Sequence, residues 1–354
     1  MNRGLIQIIV TAVLFIAVTG VIIMKATTNK SVVVNTVKEV VKSELDNDKA
    51  DLTPFPFQEL TIPYLRNRLY DGRIEDKVKY FENSGYTSYI ASYSSDGLKV
   101  NGLLTEPKGD MPAEGWPAII FIHGYIVPEN YRTTVNYNSY VDYLAKNGFV
   151  VYKIDLRGHG ESEGEAGGGY YSGDYIIDTL NAYNALLNTE NVNNKAIGLW
   201  GHSMAGNIVL RSLAAKPDIP AVVIWAGAGY TYTDLLEYMI SDNSYRPPPK
   251  NTERARKRQE LRNAYGTFEP GHWFWKQVPA TNYLEGIRGA IQLNHAIDDN
   301  VVSIQYSRNL NNLLNKTPIT HELNEYPSGG HNLAGSTFNQ AMQNTVEFFK
   351  KYLK

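Results

Sequence analysis

The sequence predicts an α/β fold built on a mostly parallel central sheet with helices on both faces. From residue 117 onward, short apolar runs alternate with stretches of helical periodicity, an order typical of such sheets. The runs are continuous, as in Pro-Ala-Ile-Ile-Phe-Ile at 117–122, which indicates strands buried on both faces. One run ends in the small-residue turn Gly-His-Ser-Met-Ala-Gly at 201–206, directly before a helical stretch. With 354 residues, the chain is long enough for one large domain with an insertion.

The N-terminus carries an uncharged apolar run over residues 5–24, between Arg3 and Lys25. A helix of that length spans about 30 Å, the thickness of the hydrocarbon core of a bilayer. A cleaved signal peptide has a shorter core of ~7–15 residues and a small-residue cleavage site, which 26–28 resembles only weakly. We therefore predict a transmembrane anchor at 1–25, with a cleaved signal peptide as the alternative. Arg3 favours a cytoplasmic N-terminus and an extracytoplasmic domain, although lysines after the run weaken this argument.

Residues 26–60 are polar and of mixed charge, and we predict that they tether a domain formed by residues 61–354. That domain begins with a β-hairpin signal, in which two alternating runs at 86–93 and 98–104 flank Ser-Asp-Gly. The later predicted strands lie at 117–122, 149–154, 196–200, 221–225, 290–295 and 320–326. The predicted helices lie at 139–147, 174–187, 204–215, 304–314 and 338–352.

The alternation stops between residues 227 and 289, a stretch rich in aromatic and charged residues. This stretch is too long for an ordinary loop. We predict a helical cap over the sheet, and we expect the cap to select the substrate. Its aromatic residues are candidates for an apolar pocket or for the cap's own core: Tyr230, Tyr232, Trp273, Phe274 and Trp275.

Composition excludes several classes of function. A formal net charge of -2 gives no sign of nucleic-acid binding. The sequence has no cysteine, which excludes a thiol nucleophile, disulfides and thiolate metal sites. No histidine spacing typical of a metal site is present, so neither a metal nor a cofactor is expected. The expected partners are a small-molecule or peptide substrate and the membrane, and the oligomeric state stays open.

The turn at 201–206 places Ser203 where a nucleophile elbow requires a serine, between a strand and a helix. The N-terminus of the new helix points backbone N–H groups at an anion forming beside that serine. The usual pattern is Gly-x-Ser-x-Gly, whereas here Ala205 holds the fifth position and Gly206 follows. The alternative is a glycine-rich turn with an incidental serine.

A serine hydroxyl needs a base, and the base needs a carboxylate. In folds with this elbow the chain order is serine, acid, histidine, each on a turn after a strand. Of the histidines after Ser203, only His331 follows a predicted strand on a flexible turn, Pro-Ser-Gly-Gly. The others lie in the cap or in a strand: His272, His295 and His321.

Two candidate acids, Asp298 and Asp299, follow the predicted strand that ends at residue 295. The order Asp-x-Val-Val favours Asp299, and Asp298 suits a turn. The oxyanion formed on attack needs two donors. We expect these to be the backbone N–H groups of Met204 and Tyr125, with the Tyr125 hydroxyl as a further candidate.

These motifs resemble α/β-hydrolases of the prolyl oligopeptidase type, from about residue 86 to the C-terminus. The resemblance is carried by His-Gly-Tyr at 123–125, Asp-Leu-Arg-Gly-His-Gly at 155–160, the turn at 201–206, His-Ala-Ile-Asp-Asp-Asn-Val-Val at 295–302 and Gly-Gly-His at 329–331. In that family the acid precedes a Val-Pro-like pair, and Val302-Ser303 in that place supports Asp299. Alanine at 205 and 296 and serine at 303 depart from the family pattern without removing a reacting group.

The resemblance implies an α/β-hydrolase fold and a catalytic triad of Ser203, Asp299 and His331. It also implies a form without the β-propeller, for which residues before 86 leave no room. Our leading expectation is therefore a membrane-anchored serine peptidase that works through an acyl-enzyme. A carboxylesterase is the alternative, because both share the triad. A catalytically silent binding module is the second alternative.

Overall fold

The computed structural model describes residues 54–354, of which Pro56–Lys354 forms one compact unit. The predicted anchor at 1–25, and the tether up to residue 53, lie outside the described residues. Among residues 54–354, none of the helices is both long enough and apolar enough to cross a membrane. The anchor stays a prediction.

One sheet in the described chain contains nine strands in the order β1-β2-β3-β5-β4-β6-β7-β8-β9. Their bounds are β1 Ile74–Glu82, β2 Tyr86–Ser95, β3 Leu98–Pro107, β4 Trp116–Ile122, β5 Val150–Ile154, β6 Val192–His202, β7 Ala221–Trp225, β8 Ala290–Ala296 and β9 His321–Tyr326. Strands β1, β2 and β3 are antiparallel, and β3 pairs antiparallel with β5. The other six strands are parallel, which confirms the predicted mostly parallel sheet.

Edge strand β1 has no counterpart among the predicted elements. Eight of its nine residues are exposed, and the first is half-buried. Five of its nine residues are charged, and Val78, Tyr80 and Phe81 are exposed. The strand therefore carries no continuous apolar run of the kind that predicts a buried strand.

The described chain contains eight α-helices, which lie on both faces of the sheet. Their bounds are α1 Ile62–Asn67, α2 Asn138–Lys146, α3 Asp174–Leu187, α4 Ala205–Ala215, α5 Tyr232–Tyr238, α6 Glu253–Tyr265, α7 Gln305–Leu314 and α8 Ser336–Tyr352. Along β4, Ala118, Ile120 and Ile122 pack into one core, and Ile119 and Phe121 pack into the other. Residues of α1, α3, α4 and α7 complete the first core, and residues of α2 and α8 complete the second.

The segment between β7 and β8 holds α5 and α6, within the stretch predicted as a cap. Each helix begins with a threonine whose side chain accepts a backbone N–H: Thr231 from Asp234 and Thr252 from Ala255. Such N-caps satisfy donors that the first turn leaves free. Leu261 is the only buried residue of α6, so packing against an apolar core does not explain the position of this helix.

The turn after β5 ties the sheet to α3 through a buried ion pair. Arg157 Nη2 lies 2.6 Å from Asp178 Oδ1, and the Asp178 side chain is fully buried. The same carboxylate accepts the Arg157 backbone N–H at 2.9 Å and the Ser95 hydroxyl at 2.7 Å. Removing one partner from such a pair leaves a buried charge without compensation.

We predict that Asp178→Ala lowers the free energy of unfolding by about 3–5 kcal/mol, because it strands the Arg157 guanidinium. Denaturant unfolding of the purified protein measures this loss. The matched control is Asp218→Ala, which removes an exposed pair with Arg288 and should cost about 0–1 kcal/mol. Equal losses in the two variants would contradict a structural role for the buried pair.

Candidate active site

Ser203 lies in a strained turn between the end of β6 and the start of α4. Its φ is 57°, a left-handed conformation that is uncommon outside glycine. The Ser203 N–H donates to the Trp225 carbonyl at 2.9 Å, and the Gly206 N–H donates to the Ser203 carbonyl at 2.9 Å. The neighbouring strand β7 and the following helix therefore hold the serine in this conformation.

Close backbone approach explains the small residues around the turn. A Cβ at Gly201 would lie 2.8 Å from the Ala205 carbonyl oxygen, and one at Gly206 would lie 2.7 Å from Gly227 Cα. Ala205, which departs from the usual glycine, is fully buried in the core below α4. Its methyl group is accommodated, so the departure leaves the turn intact.

His331 lies on a short 3-10 turn, Gly330–Asn332, that follows β9. Its Nδ1 lies 2.8 Å from Asp299 Oδ2, and the Asp299 side chain has no exposed surface. The other carboxylate oxygen of Asp299 accepts the backbone N–H groups of Val301 and Val302 at 2.8 and 3.0 Å. The carboxylate is therefore fixed on one side by backbone and presents its other oxygen to the imidazole.

His295, at the end of β8, also contacts this carboxylate, with Nε2 3.1 Å from Asp299 Oδ2. Burial opposes ionisation of Asp299, but hydrogen bonds from His295, His331 and the Val302 backbone outweigh it and hold its pKa well below the ordinary range. Sequence reasoning set His295 aside because it lies in a strand. His295 is the first residue of the 295–302 motif, and this position in the sequence could have indicated its contact with Asp299.

Asp298 points elsewhere. Its carboxylate accepts the backbone N–H groups of Gly330 and Gly329 at 2.8 and 3.3 Å. These contacts brace the turn that carries His331. The structure thus brings Asp299 to the His331 imidazole and Asp298 to the His331 backbone loop.

His202, directly before Ser203, connects three loops of the site. Its Nε2 lies 2.8 Å from the His331 carbonyl oxygen, and the two imidazole centroids are 4.6 Å apart. Its Nδ1 lies 2.6 Å from the Tyr137 hydroxyl, which also accepts the Gly124 N–H at 3.0 Å. Burial, followed by the neighbouring His331, lowers the pKa of His202 to about 3. A neutral His202 therefore donates from Nε2 and accepts at Nδ1.

The two residues predicted to supply the oxyanion donors are Met204 and Tyr125. Met204 directly precedes α4, and Tyr125 lies in the loop after β4. Both line one cavity with Ser203. The Tyr125 hydroxyl accepts the Arg246 backbone N–H at 3.1 Å, so this side chain contacts the cap.

The cavity above Ser203 has a volume of about 600 Å³. Of the aromatic cap residues considered above, Tyr232 and Trp275 line it. Phe274 instead stacks on Tyr265 with ring centroids 3.8 Å apart, and Tyr230 is buried elsewhere in the core. Within residues 54–354, no cluster of three or more His, Asp or Glu side chains could hold a metal ion.

Two family models match parts of the chain. The model for "Serine aminopeptidase, S33" matches residues 117–240, and the model for "BAAT / Acyl-CoA thioester hydrolase C terminal" matches residues 180–352.

The 2,6-dihydropseudooxynicotine hydrolase of Paenarthrobacter nicotinovorans is 27% identical over 147 residues, 41% of this chain and 38% of that protein. An uncharacterized 31.7 kDa protein of Escherichia coli is 30% identical over 107 residues, 30% of this chain and 36% of that protein. The matches thus span well under half the length of these relatives.

Solved structures align over more of the chain. Acetyl xylan esterase 1 from Thermoanaerobacterium sp. JW/SL YS485 aligns with a TM-score of 0.59 and 22% identity, over 83% of this chain and 95% of that one. An acylaminoacyl peptidase aligns with a TM-score of 0.57 and 18% identity, over 76% of this chain and 42% of that one. These likenesses show an α/β-hydrolase fold. The family models support a hydrolase and do not distinguish a peptidase from an esterase.

We predict that Asp299→Asn slows the reaction of Ser203 with a fluorophosphonate by about 10⁴-fold, because the amide cannot hold and stabilise the imidazolium of His331. Asp298→Asn should slow it by no more than about tenfold, since it weakens exposed hydrogen bonds worth about 1 kcal/mol. Rates of covalent labelling, followed by mass spectrometry, measure both. A loss for Asp298→Asn as large as that for Asp299→Asn would contradict this assignment.

Proposed function

We propose that this chain is a serine hydrolase that cleaves carboxylic esters through an acyl-enzyme. The observation that carries the proposal is the juxtaposition of three features. Ser203 lies in a strained elbow at the floor of an apolar cavity, the His331 loop is bonded to the adjacent His202, and His331 is paired with a buried carboxylate. Strain stored at a residue that lines a cavity is typical of a functional site.

In the proposed reaction, Ser203 Oγ attacks the ester carbonyl while His331 Nε2 takes the serine proton. Asp299 holds Nδ1–H of the same ring and stabilises the imidazolium. The backbone N–H groups of Met204 and Tyr125 bind the oxyanion. Collapse of the tetrahedral intermediate expels the alcohol, which receives the proton from His331. Water, activated by His331, then attacks the acyl-enzyme and releases the acid and free Ser203.

The charges that line the cavity favour an ester substrate over a peptide substrate with a free, positively charged amino terminus. Its charged lining consists of three arginines and one aspartate: Arg254, Arg258, Arg262 and Asp242. A peptide ammonium group would meet repulsion from the arginines, and the lining residues that the structure describes include no pair of carboxylates to bind it. The alignments to two acetyl xylan esterases, which cover 83% and 88% of this chain, are in keeping with this choice. A prolyl-oligopeptidase-like peptidase is the second candidate, favoured by the sequence motifs and the aminopeptidase family match.

We also propose that residues 1–25 anchor the hydrolase in a membrane with the catalytic domain outside the cytoplasm. The support is the 20-residue uncharged run at 5–24, which is long enough to span the hydrocarbon core. The enzyme would then meet its substrate at the cell surface.

The first test uses the detergent-solubilised full chain and a fluorophosphonate probe. We expect stoichiometric labelling of the wild type and no labelling of Ser203→Ala, with matching circular dichroism spectra as the control for folding. A folded wild-type protein that stays unlabelled at neutral pH would overturn the proposed hydrolase and favour a binding module.

The second test separates the ester from the peptide substrate. We expect p-nitrophenyl butyrate to be hydrolysed faster than the p-nitrophenyl ester of alanine, by about tenfold or more, which corresponds to about 1.4 kcal/mol of repulsion on the ammonium. The two esters share a leaving group, so kcat/KM reports the acyl part. Alanine p-nitroanilide should be a poor substrate. Preference for the alanine derivatives would favour the peptidase.

The third test addresses the anchor. We expect the full chain to stay in the membrane fraction after alkaline carbonate washing and a variant lacking residues 2–25 to become soluble. Because the sequence has no cysteine, a membrane-impermeant maleimide should label intact cells that carry Ala113→Cys, an exposed site. Cells that carry Asn2→Cys should not be labelled. Carbonate-soluble full chain, or the reverse labelling, would contradict the proposal.

A further inference from the structure

Helix α6 presents a row of arginines to the cavity above Ser203. Arg254, Arg258 and Arg262 follow one another at a spacing of four residues, so they lie on one face of the helix. All three line the cavity. Like charges at this spacing destabilise an isolated helix, so the row has an energetic cost.

The arginines that face the cavity lack carboxylate partners. Among residues 54–354, neither Arg254 nor Arg258 forms an ion pair, and the Nε atoms of both are buried without a hydrogen-bond partner. Arg258 has neutral neighbours: its Nη1 donates to the Tyr245 hydroxyl at 3.2 Å, and its guanidinium lies 4.7 Å from the Tyr171 ring centroid. Buried donors without acceptors are costly unless a ligand supplies the acceptor.

The other charged residues of α6 and of the cavity lining do not neutralise Arg254 and Arg258. Arg256 pairs with Glu253 and Glu260 rather than with cavity groups. The acid that lines the cavity, Asp242, uses its Oδ1 to accept the Ser244 backbone N–H at 2.8 Å and the Ser244 hydroxyl at 2.6 Å. The lining therefore carries excess positive charge next to a reactive serine.

Two adjacent glycines lie between the arginine row and the Met204 side chain. A Cβ at Gly168 would lie 2.7 Å from Arg254 Nη2, and a Cβ at Gly169 would lie 2.7 Å from Met204 Cγ. Consecutive Cα atoms are about 3.8 Å apart, so the guanidinium and the Met204 side chain face neighbouring residues of one short segment. An apolar wall that includes Leu235, Phe268 and Trp275 completes the cavity.

We propose that the substrate is an ester that also carries a free anionic group, held by Arg254 and Arg258, with an apolar body between that group and the ester bond. This inference rests on the proposed function, because it concerns the substrate of the same site. A carboxylate and a phosphate monoester both match the guanidinium fork. The reaction stays hydrolysis of the ester, and the anionic group is unchanged by it.

The kinetic test compares esters that differ in charge. The p-nitrophenyl monoester of adipic acid carries a carboxylate on its acyl part, and p-nitrophenyl hexanoate has the same chain length without it. A second comparison, 3-carboxy-4-nitrophenyl hexanoate against p-nitrophenyl hexanoate, places the carboxylate on the leaving group. We expect the ratio of kcat/KM for anionic to neutral ester to fall by about tenfold or more in Arg254→Gln and in Arg258→Gln, in at least one comparison.

The matched control is Arg256→Gln, on the same helix but paired with Glu253 and Glu260. It should keep both the wild-type ratio and the wild-type rate with the neutral ester. Ratios that are unchanged in Arg254→Gln and Arg258→Gln for both comparisons would overturn the inference while leaving the hydrolase intact.

Binding separates this inference from the proposed chemistry. By calorimetry on full-length Ser203→Ala, monoethyl suberate or octyl phosphate should bind more tightly than neutral diethyl suberate. The added Arg254→Gln substitution should remove that advantage. The tighter of the two anions identifies the group that the site prefers. If Ser203 proves unreactive but this pattern holds, the hydrolase proposal fails and the anion site stands. Equal binding of all three compounds would overturn the anion site.

Discussion

The left-handed backbone of Ser203 is the constraint on which the rest of the site depends. A residue held in such a conformation costs about 1–3 kcal/mol and persists only where the surroundings over-determine it. Here the Trp225 carbonyl fixes the serine N–H, and glycines at 201 and 206 allow strand, helix and neighbouring loop to approach within contact distance. The core of the sheet thus stabilises a turn that presents a hydroxyl to solvent.

The same turn organises the residues around it through His202. A neutral His202 donates to the His331 carbonyl and faces the Tyr137 hydroxyl, which in turn accepts the Gly124 N–H. Hydrogen bonds therefore join the elbow, the loop after β4 and the turn that carries His331. Two aspartates also hold the His331 turn: Asp298 accepts a backbone N–H of the turn, and Asp299 contacts the His331 ring. The geometry is preorganised, which electrostatic catalysis requires.

Under the proposed function, the cap selects the substrate and supplies no reacting group. Helix α6 buries one residue, Leu261, yet it brings arginines that have no ion pair among residues 54–354 to the cavity that Ser203 lines. Residues that break local stability rules without a structural gain are expected at functional sites. The fold alone supports many substrates, so the charge and shape of this cavity are the features that narrow the choice.

The sequence by itself determined the parallel strands, because strands buried on both faces read as continuous apolar runs, and it located Ser203 and His331 on turns after such strands. It also narrowed the acid to two adjacent aspartates. Only the tertiary structure showed which of the two aspartates faces the His331 ring. It also showed that His295 contacts Asp299 and that His202 contacts the His331 loop. It also revealed edge strand β1, whose exposed and mostly charged residues form no continuous apolar run. The tertiary structure was also needed to show that the arginine face of α6 lines the cavity. Helical spacing shows which side chains share a face, but it does not show what that face contacts.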